Sequence, residues 1–247
     1  MLEKNIDNYN KNGFSVMRNF IPKQKLFKLN IKIKKFLKKK AKNLKGKNIN
    51  YSSGNRVNSA HDIDKFDPFF KKFSNQKFII QMVEKFLQSK TVFRKSEIFA
   101  KPAKVGLQSP MHQDNFYWGI KNNNALTIWV ALDHCNKSNG GLTYFKGSHK
   151  YGIVKHVDSY EPGSSQKISS NFFKKKRNFK KITPTLNPGD VLIHHCLTIH
   201  GSKPNRSSKS RRGFTMQFKD KFSKYDKKLV NYYRSKLNKQ VKLRQKY

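Results

Sequence analysis

A chain of 247 residues and 29.0 kDa has room for one domain of generous size or two small ones. Hydrophobic residues make up 36%, and the aromatic share of 13%, with 20 Phe in periodic clusters, excludes disorder throughout. Fifty-four Lys and Arg against 14 Asp and Glu leave a net charge of +40, and no apolar run approaches the roughly 18 residues that would span a bilayer.

The charge has two readings. One is a nucleic-acid or anionic-surface partner. The other is compositional drift of the kind an AT-rich genome imposes, since Lys outnumbers Arg and runs the whole length instead of forming one stripe. Met1-Leu2-Glu3-Lys4-Asn5 carries no apolar signal core, so a cytoplasmic protein is expected. Cys135 and Cys196 stand far apart and form neither a zinc motif nor a disulfide framework.

In chain order, Gly13 to Phe20 reads as a strand closed by Ile21-Pro22. Pro22 suits the first turn of a helix, and Leu26, Leu29, Ile33, Phe36 and Leu37 follow at helical spacing. Lys38–Lys47 reads as a basic linker and Tyr51–Asn55 as a loop. Phe66, Phe69, Phe70 and Phe73 predict a short helix, and Ile79, Met82, Val83, Phe86 and Leu87 another. The first ninety residues are therefore expected to be mainly helical after one strand.

From Val92 the pattern turns to short strands: Val92–Lys101, Leu126–Leu132, Leu142–Phe145, Val191–Ile193 and Gly213–Phe218. Asn139-Gly140-Gly141, Gly147-Ser148 and Pro188-Gly189-Asp190 supply turns between them. This predicts an antiparallel sandwich or barrel. Ser159–Asn178 is polar and basic and reads as a mobile loop. Leu229, Tyr233, Leu237 and Val241 mark a helical stripe in a very basic tail. The expected organisation is one domain: a strand and helices over about 10–90, a β core over about 91–220, and the tail over about 221–247.

Candidate chemistry gathers in few places. His112-Gln113-Asp114 follows a Ser-Pro turn, and in a strand residues i and i+2 share a face, so one H-x-D segment can supply two metal ligands. His200, read as ending the strand that starts at Val191, is the best third. Two imidazoles and one carboxylate on one face of an ion make the facial triad of non-haem Fe(II) oxygenases, which leaves positions open for a keto acid and O2. Arg211, eleven residues after His200, could pair with a distal carboxylate, while the adjacent Arg212 would face the other way. His194 and His195 cannot both join one site, and His149 reads as a turn residue. His61 and His156 lie outside any motif.

These segments together resemble the phytanoyl-CoA dioxygenase family of Fe(II)/2-oxoglutarate-dependent oxygenases. The resemblance rests on Gly13–Ile21, Lys101-Pro102, Pro110–Asp114, Asn139–Leu142, Gly147–Lys150, Gly189–Val191, His200–Ser202, Pro204–Ser207 and Arg211, which occur in family order. It implies a mainly β fold with flanking helices around a double-stranded β-helix, or jelly-roll, core. It implies Fe(II) held by His112, Asp114 and His200, and 2-oxoglutarate held by Arg211 with help from Ser202. Trp129 and Gln113 are implied near the cosubstrate, and His195 as a structural residue in the strand before the last ligand. Trp118 and Tyr117 are substrate-pocket positions, Trp118 with core packing as its alternative. The implied reaction is hydroxylation of an unidentified small, possibly anionic, metabolite with O2, releasing succinate and CO2. Asp114 favours this over halogenation, because related halogenases carry a small residue there. Two other classes remain at this point: a zinc enzyme on a similar barrel, and a non-enzymatic nucleic-acid-binding protein using its charge.

Overall fold

The computed structural model describes residues 2–161, 164–176 and 179–244. Helix α1 (Leu2–Asn12) leads into β1 (Phe14–Met17) and then α2 (Lys23–Lys39). A hairpin of β2 (Ile49–Ser52) and β3 (Arg56–Ala60) precedes α3 (Pro68–Ser74) and α4 (Lys77–Leu87). Next come β4 (Thr91–Phe99), β5 (Ser109–His112), α5 (Asp114–Trp118), β6 (Ala125–Ala131) and β7 (Leu142–Phe145). β8 (His156–Glu161), β9 (Ser164–Ile168), α6 (Ser170–Lys175) and β10 (Lys181–Ile182) form an excursion. β11 (Val191–His195), β12 (His200–Ser202), β13 (Gly213–Asp220) and α7 (Lys227–Arg244) complete the chain.

One sheet runs β1-β11-β6-β13-β4-β3-β2, a second runs β10-β7-β12-β5, and β8 pairs with β9. Their pairings are antiparallel, and the two sheets make the double-stranded β-helix expected from the strand pattern.

Side-chain alternation divides the large sheet into two functions. Leu126, Ile128 and Val130 of β6, Val191 and Ile193 of β11, and Phe214, Met216 and Phe218 of β13 join the main hydrophobic core. The apolar stripes of the helices cover that face. Leu29, Ile33 and Phe36 of α2 are buried, as are Ile79, Met82, Val83 and Phe86 of α4. Each contributes about 1.5–3 kcal/mol by leaving water. Local signals start these helices where the sequence suggests. Pro22 is the N-cap of α2, and Asp67 caps α3 by accepting from the Phe69 amide, with Pro68 in the first turn. The alternate residues, Thr127, Trp129, His194, Arg211, Thr215 and Gln217, face the opposite way and line a cavity between the sheets.

Four expectations need correction. The first ninety residues are not purely helical after one strand, because β2 and β3 extend the large sheet. Ser52 and Ser53 sit at a tight turn there, where Gly54 adopts φ 71. The basic segment after α2 is not a plain linker, since two short 3₁₀ turns, Ala41–Asn43 and Gly46–Asn48, occupy it. The polar stretch from Ser159 is not a loop: it contains most of the β8–β9 hairpin and α6, apart from the undescribed 162–163 and 177–178. Its hydrophilic composition hid the pairing, which tertiary contacts with α7 support (Gln240 Nε2 donates to Ser165 O at 2.9 Å). His200 does not extend the strand from Val191; a turn intervenes and His200 opens β12 in the other sheet.

Gly213 opens β13 against Trp129, and a Cβ there would lie 1.9 Å from the Trp129 ring. Gly213→Ala is expected to lower stability by about 1–3 kcal/mol through overpacking. Urea unfolding followed by tryptophan fluorescence measures it, and an unchanged midpoint would show that the ring moves aside at no cost.

Candidate active site

β5 ends on His112 and α5 begins with Asp114, with Gln113 as the extended N-cap between them (φ −119, ψ 132). The expected H-x-D strand is thus a strand-to-helix junction. It still presents both side chains to one space. β12 runs antiparallel to β5 in a register that sets His200 directly opposite His112, with ring centroids 4.4 Å apart.

Hydrogen bonds fix which atoms face inward. Nδ1 of His112 donates to Pro110 O at 2.7 Å, and Nδ1 of His200 to Thr198 O at 2.9 Å. Each neutral ring therefore leaves the Nε2 lone pair free. Both Nε2 atoms stand 3.7 Å from Asp114 Oδ1. Asp114 Oδ2 is occupied by the protein: Thr127 Oγ1 donates at 2.6 Å and His194 Nε2 at 3.1 Å. His194 is oriented in turn by the Tyr144 hydroxyl, 2.9 Å from its Nδ1. The three ligand atoms lie within 4.8 Å of one another. Two imidazole nitrogens and one carboxylate oxygen, each backed by a second hydrogen bond, fit a divalent transition metal.

Burial alone would raise the Asp114 carboxyl. The His200 imidazole beside it, with His112 and the hydrogen-bonded His194, outweighs burial and holds the group well below the usual range. His200 is pushed well down, first by burial and then by His194 and His112, so it stays neutral. Both shifts give the protonation states that metal ligation requires.

Arg211 lies just before β13 with its side chain buried at 1% exposure. Its guanidinium sits 5.2 Å from the Trp129 ring centre, and Nη2 donates to Gly140 O. Its Nε is buried with no acceptor. Arg212 faces the other way, as alternation requires, with its backbone N, Nε and Nη2 on the Asp133 carboxylate at 2.6–2.9 Å. Ser202 is buried two residues beyond His200 and shares the cavity with Trp129 and Arg211. Lys101 also reaches it, with Nζ donating to Lys203 O at 2.6 Å.

Gln113 needs correction. Its amide faces away from the cavity and ties three backbone segments together, through Gly152 O, Leu197 O and the Val154 amide. Its backbone N–H donates to His156 Nε2 at 3.1 Å. Gln113 therefore braces the His112–Asp114 segment and does not line the cavity. His195 points away from the triad, against Tyr9 and His149. Of the His194-His195 pair, His194 is the inward member, and the alternation of β11 was the available signal.

The cavity has a volume of about 730 Å³. Tyr117 and Trp118 both line it, and the Tyr117 hydroxyl donates to Gln166 O at 3.0 Å. The cavity also holds a network that sequence reading missed. Glu97 Oε1 meets Lys95 Nζ at 2.7 Å and His61 Nδ1 at 2.8 Å, and Oε2 accepts from Gln217 Nε2 at 3.0 Å. The period-2 pattern of β4 could have flagged Lys95 and Glu97, but His61 comes from a distant segment. Tyr233 and Leu237 of α7 close the far side, with the Tyr233 ring 5.0 Å from Tyr117. A tail that reads as a basic appendage is a wall of the cavity.

Comparison with known proteins agrees with this architecture. The family model for phytanoyl-CoA dioxygenase (PhyH) matches residues 9–213. The chain belongs to the phytanoyl-CoA dioxygenase family. Peroxisomal phytanoyl-CoA dioxygenase from Homo sapiens is 23% identical over 222 residues, 85% of this chain but only 66% of the human protein. The chain thus spans just under two thirds of that relative. Among solved structures, EctD from S. alaskensis with bound Fe superposes with a TM-score of 0.76 at 18% identity, covering 91% of this chain and 78% of EctD. The epimerase SnoN in complex with Fe3+, alpha ketoglutarate and nogalamycin RO gives 0.75 at 18% identity, covering 94% and 88%. At these identities they establish the shared fold.

Glu97 yields a pH prediction. Burial would raise its carboxyl, but Lys95 and His61, by charge and hydrogen bonding, bring it down to about 2. A depressed folded-state pKa stabilises the protein above the unfolded value of 4.5, and that stability is lost as pH falls toward 2. The contribution is on the order of 3 kcal/mol at neutral pH. Glu97→Gln should flatten the fall in unfolding free energy below pH 4.5, measured by urea titration at stepped pH.

Proposed function

We propose that this chain is a single-domain Fe(II)- and 2-oxoglutarate-dependent dioxygenase that hydroxylates a small organic metabolite, releasing succinate and CO2. The observation that carries the reading is the pairing of a pre-oriented His112-Asp114-His200 set with a buried arginine on the same cavity whose Nε lacks an acceptor. A zinc site explains the first feature alone. It leaves the buried Arg211 without a purpose, whereas the distal carboxylate of a dicarboxylic keto acid is the acceptor that the guanidinium lacks. A nucleic-acid role explains neither. The reported contents of the related structures support the same reading: EctD from S. alaskensis was solved with 2-oxoglutarate and 5-hydroxyectoine, and SnoN with alpha ketoglutarate.

In this reading, His112, Asp114 and His200 would hold Fe(II), which when bound supplies the oxidative chemistry with O2 and the keto acid. Thr127 and His194 keep the second Asp114 oxygen occupied, so one oxygen stays available to the metal. Arg211 would pair with the far carboxylate of 2-oxoglutarate, Trp129 would pack beside it, and Ser202 would contribute a hydroxyl. The apolar and aromatic walls would exclude water, and Tyr117 and Trp118 would orient the substrate C–H. No helix among the described residues is long and apolar enough to cross a membrane. Residence in the cytoplasm belongs to the same proposal, although the human relative is named as peroxisomal.

An anaerobic titration with Fe(II) and then 2-oxoglutarate tests the reading. A weak visible charge-transfer band that needs both components is expected, and it should vanish in Asp114→Ala and His200→Ala. Absence of any band in the wild type would overturn the assignment. Arg211→Ala should weaken 2-oxoglutarate binding by about 2–5 kcal/mol, the range for truncating one side of a buried charge pair. Arg212→Ala should leave that affinity within about threefold, because Arg212 is engaged outside the cavity with Asp133. Equal losses in both variants would reassign the anchoring residue.

A further inference from the structure

β4 and β13 pair regularly from Phe99↔Gly213 to Lys95↔Gln217, and then the register slips, with Phe93 opposite Phe218. Arg94 is the extra residue of this β-bulge. Glu97 and Lys95 face the cavity by alternation, and Phe93 packs on the helical side against Phe218. In an unbroken strand, Arg94 would leave the cavity face. The bulge turns it in, so that two consecutive cationic residues line the cavity. Bulges beside active sites commonly re-aim a side chain in this way.

The guanidinium is held in place but not neutralised. It lies 4.7 Å from the Trp118 ring centre and 5.7 Å from that of Tyr225, and Nη1 donates to the Tyr225 hydroxyl at 2.9 Å. Its Nε is buried without an acceptor. Among the described residues, no carboxylate lies within ion-pairing distance of it. The carboxylate that acts on it at longer range, Asp114, is held by Thr127 and His194, and Glu97 on the same strand is paired with Lys95 and His61. A half-buried cation whose Nε–H is itself buried and orphaned marks an acceptor missing from the site. Its Nε–Nη2 edge is the side that meets a carboxylate with two parallel hydrogen bonds.

The geometry points to Arg94 as the anchor for a carboxylate on the substrate, in a subsite separate from Arg211. The inference rests on the proposed oxygenase reading and deepens it: the substrate is an organic acid anion. Trp118 lies against both Arg94 and the cavity, so the carbon skeleton runs from Arg94 past Trp118 and Tyr117 toward the triad. With Arg211 committed to the cosubstrate, Arg94 gives the cavity a second site for negative charge. Charge alone does not distinguish it in so basic a chain. Its bulge, its aromatic seat and its missing acceptor do.

The test uses the full chain as the anaerobic Fe(II)–2-oxoglutarate complex, so that Arg211 is already occupied. Phenylacetate and hexanoate are compared with phenylacetamide and hexanamide at constant ionic strength. Binding is read from the shift of the visible band and from tryptophan fluorescence. The acids should bind at least about tenfold more tightly than their amides, and Arg94→Gln should remove that preference. The band recorded before each probe is added reports whether the variant retains an assembled site. Should Arg94→Gln not fold, Arg94→Lys keeps the charge but loses the two-pronged edge and should lower the preference at least about threefold. Equal affinity for acid and amide in the wild type, or a preference that survives in the Arg94 variants, overturns the assignment. If no band forms, the oxygenase reading fails by itself. The fluorescence comparison between wild type and Arg94→Gln still decides whether Arg94 binds carboxylates.

Discussion

The site depends on how one buried carboxylate is shared. Asp114 costs several kcal/mol to remove from water unless its oxygens are satisfied. The fold satisfies Oδ2 with Thr127 and His194 and turns Oδ1 toward the free nitrogens of His112 and His200. The four partners come from β5, β6, β11 and β12, so both sheets of the double-stranded β-helix must close before the carboxylate is accommodated. Folding and site assembly are one event here. The same hydrogen bonds that offset the desolvation of Asp114 also set the geometry of the candidate ligand set.

The second constraint is the alternation of the large sheet. One face of β6, β11 and β13 carries Leu, Ile, Val, Phe and Met into a core with the helices, and the other carries Thr127, Trp129, His194, Thr215 and Gln217. Stability and chemistry are therefore written on alternate residues of the same strands. Interruptions of that rhythm carry information. The slip between β4 and β13 releases Arg94 from its expected face. Gly213 opens a strand beside an indole that leaves no room for a Cβ.

Much of this was legible in the sequence because it depends on local chemistry. The helices α2, α3 and α4 follow from apolar spacing, Pro22 and Asp67-Pro68, and the strands β4, β6 and β13 from β-rich runs. The opposition of Arg211 and Arg212 follows from period-2 geometry alone. The β2–β3 and β8–β9 hairpins were not legible. Both are polar, and both are stabilised by partners distant in sequence, β4 for one and α7 for the other. Gln113 was misplaced because its neighbours in space, Gly152, Val154, His156 and Leu197, lie 39 to 84 residues away.

The sequence by itself determined the β class of the core and marked the His112-Asp114-His200 set and Arg211 as candidates. These rest on residue type, short spacing and alternation, which are properties of neighbours along the chain. Tertiary structure alone decided that His194 supports Asp114 and that His61 and Lys95 flank Glu97. It also decided that α7 closes the cavity and that Arg94 faces inward. Those outcomes depend on strand register, on a bulge and on the packing of the last helix against α5 and β9. A register shifted by one residue would reverse every one of the affected faces.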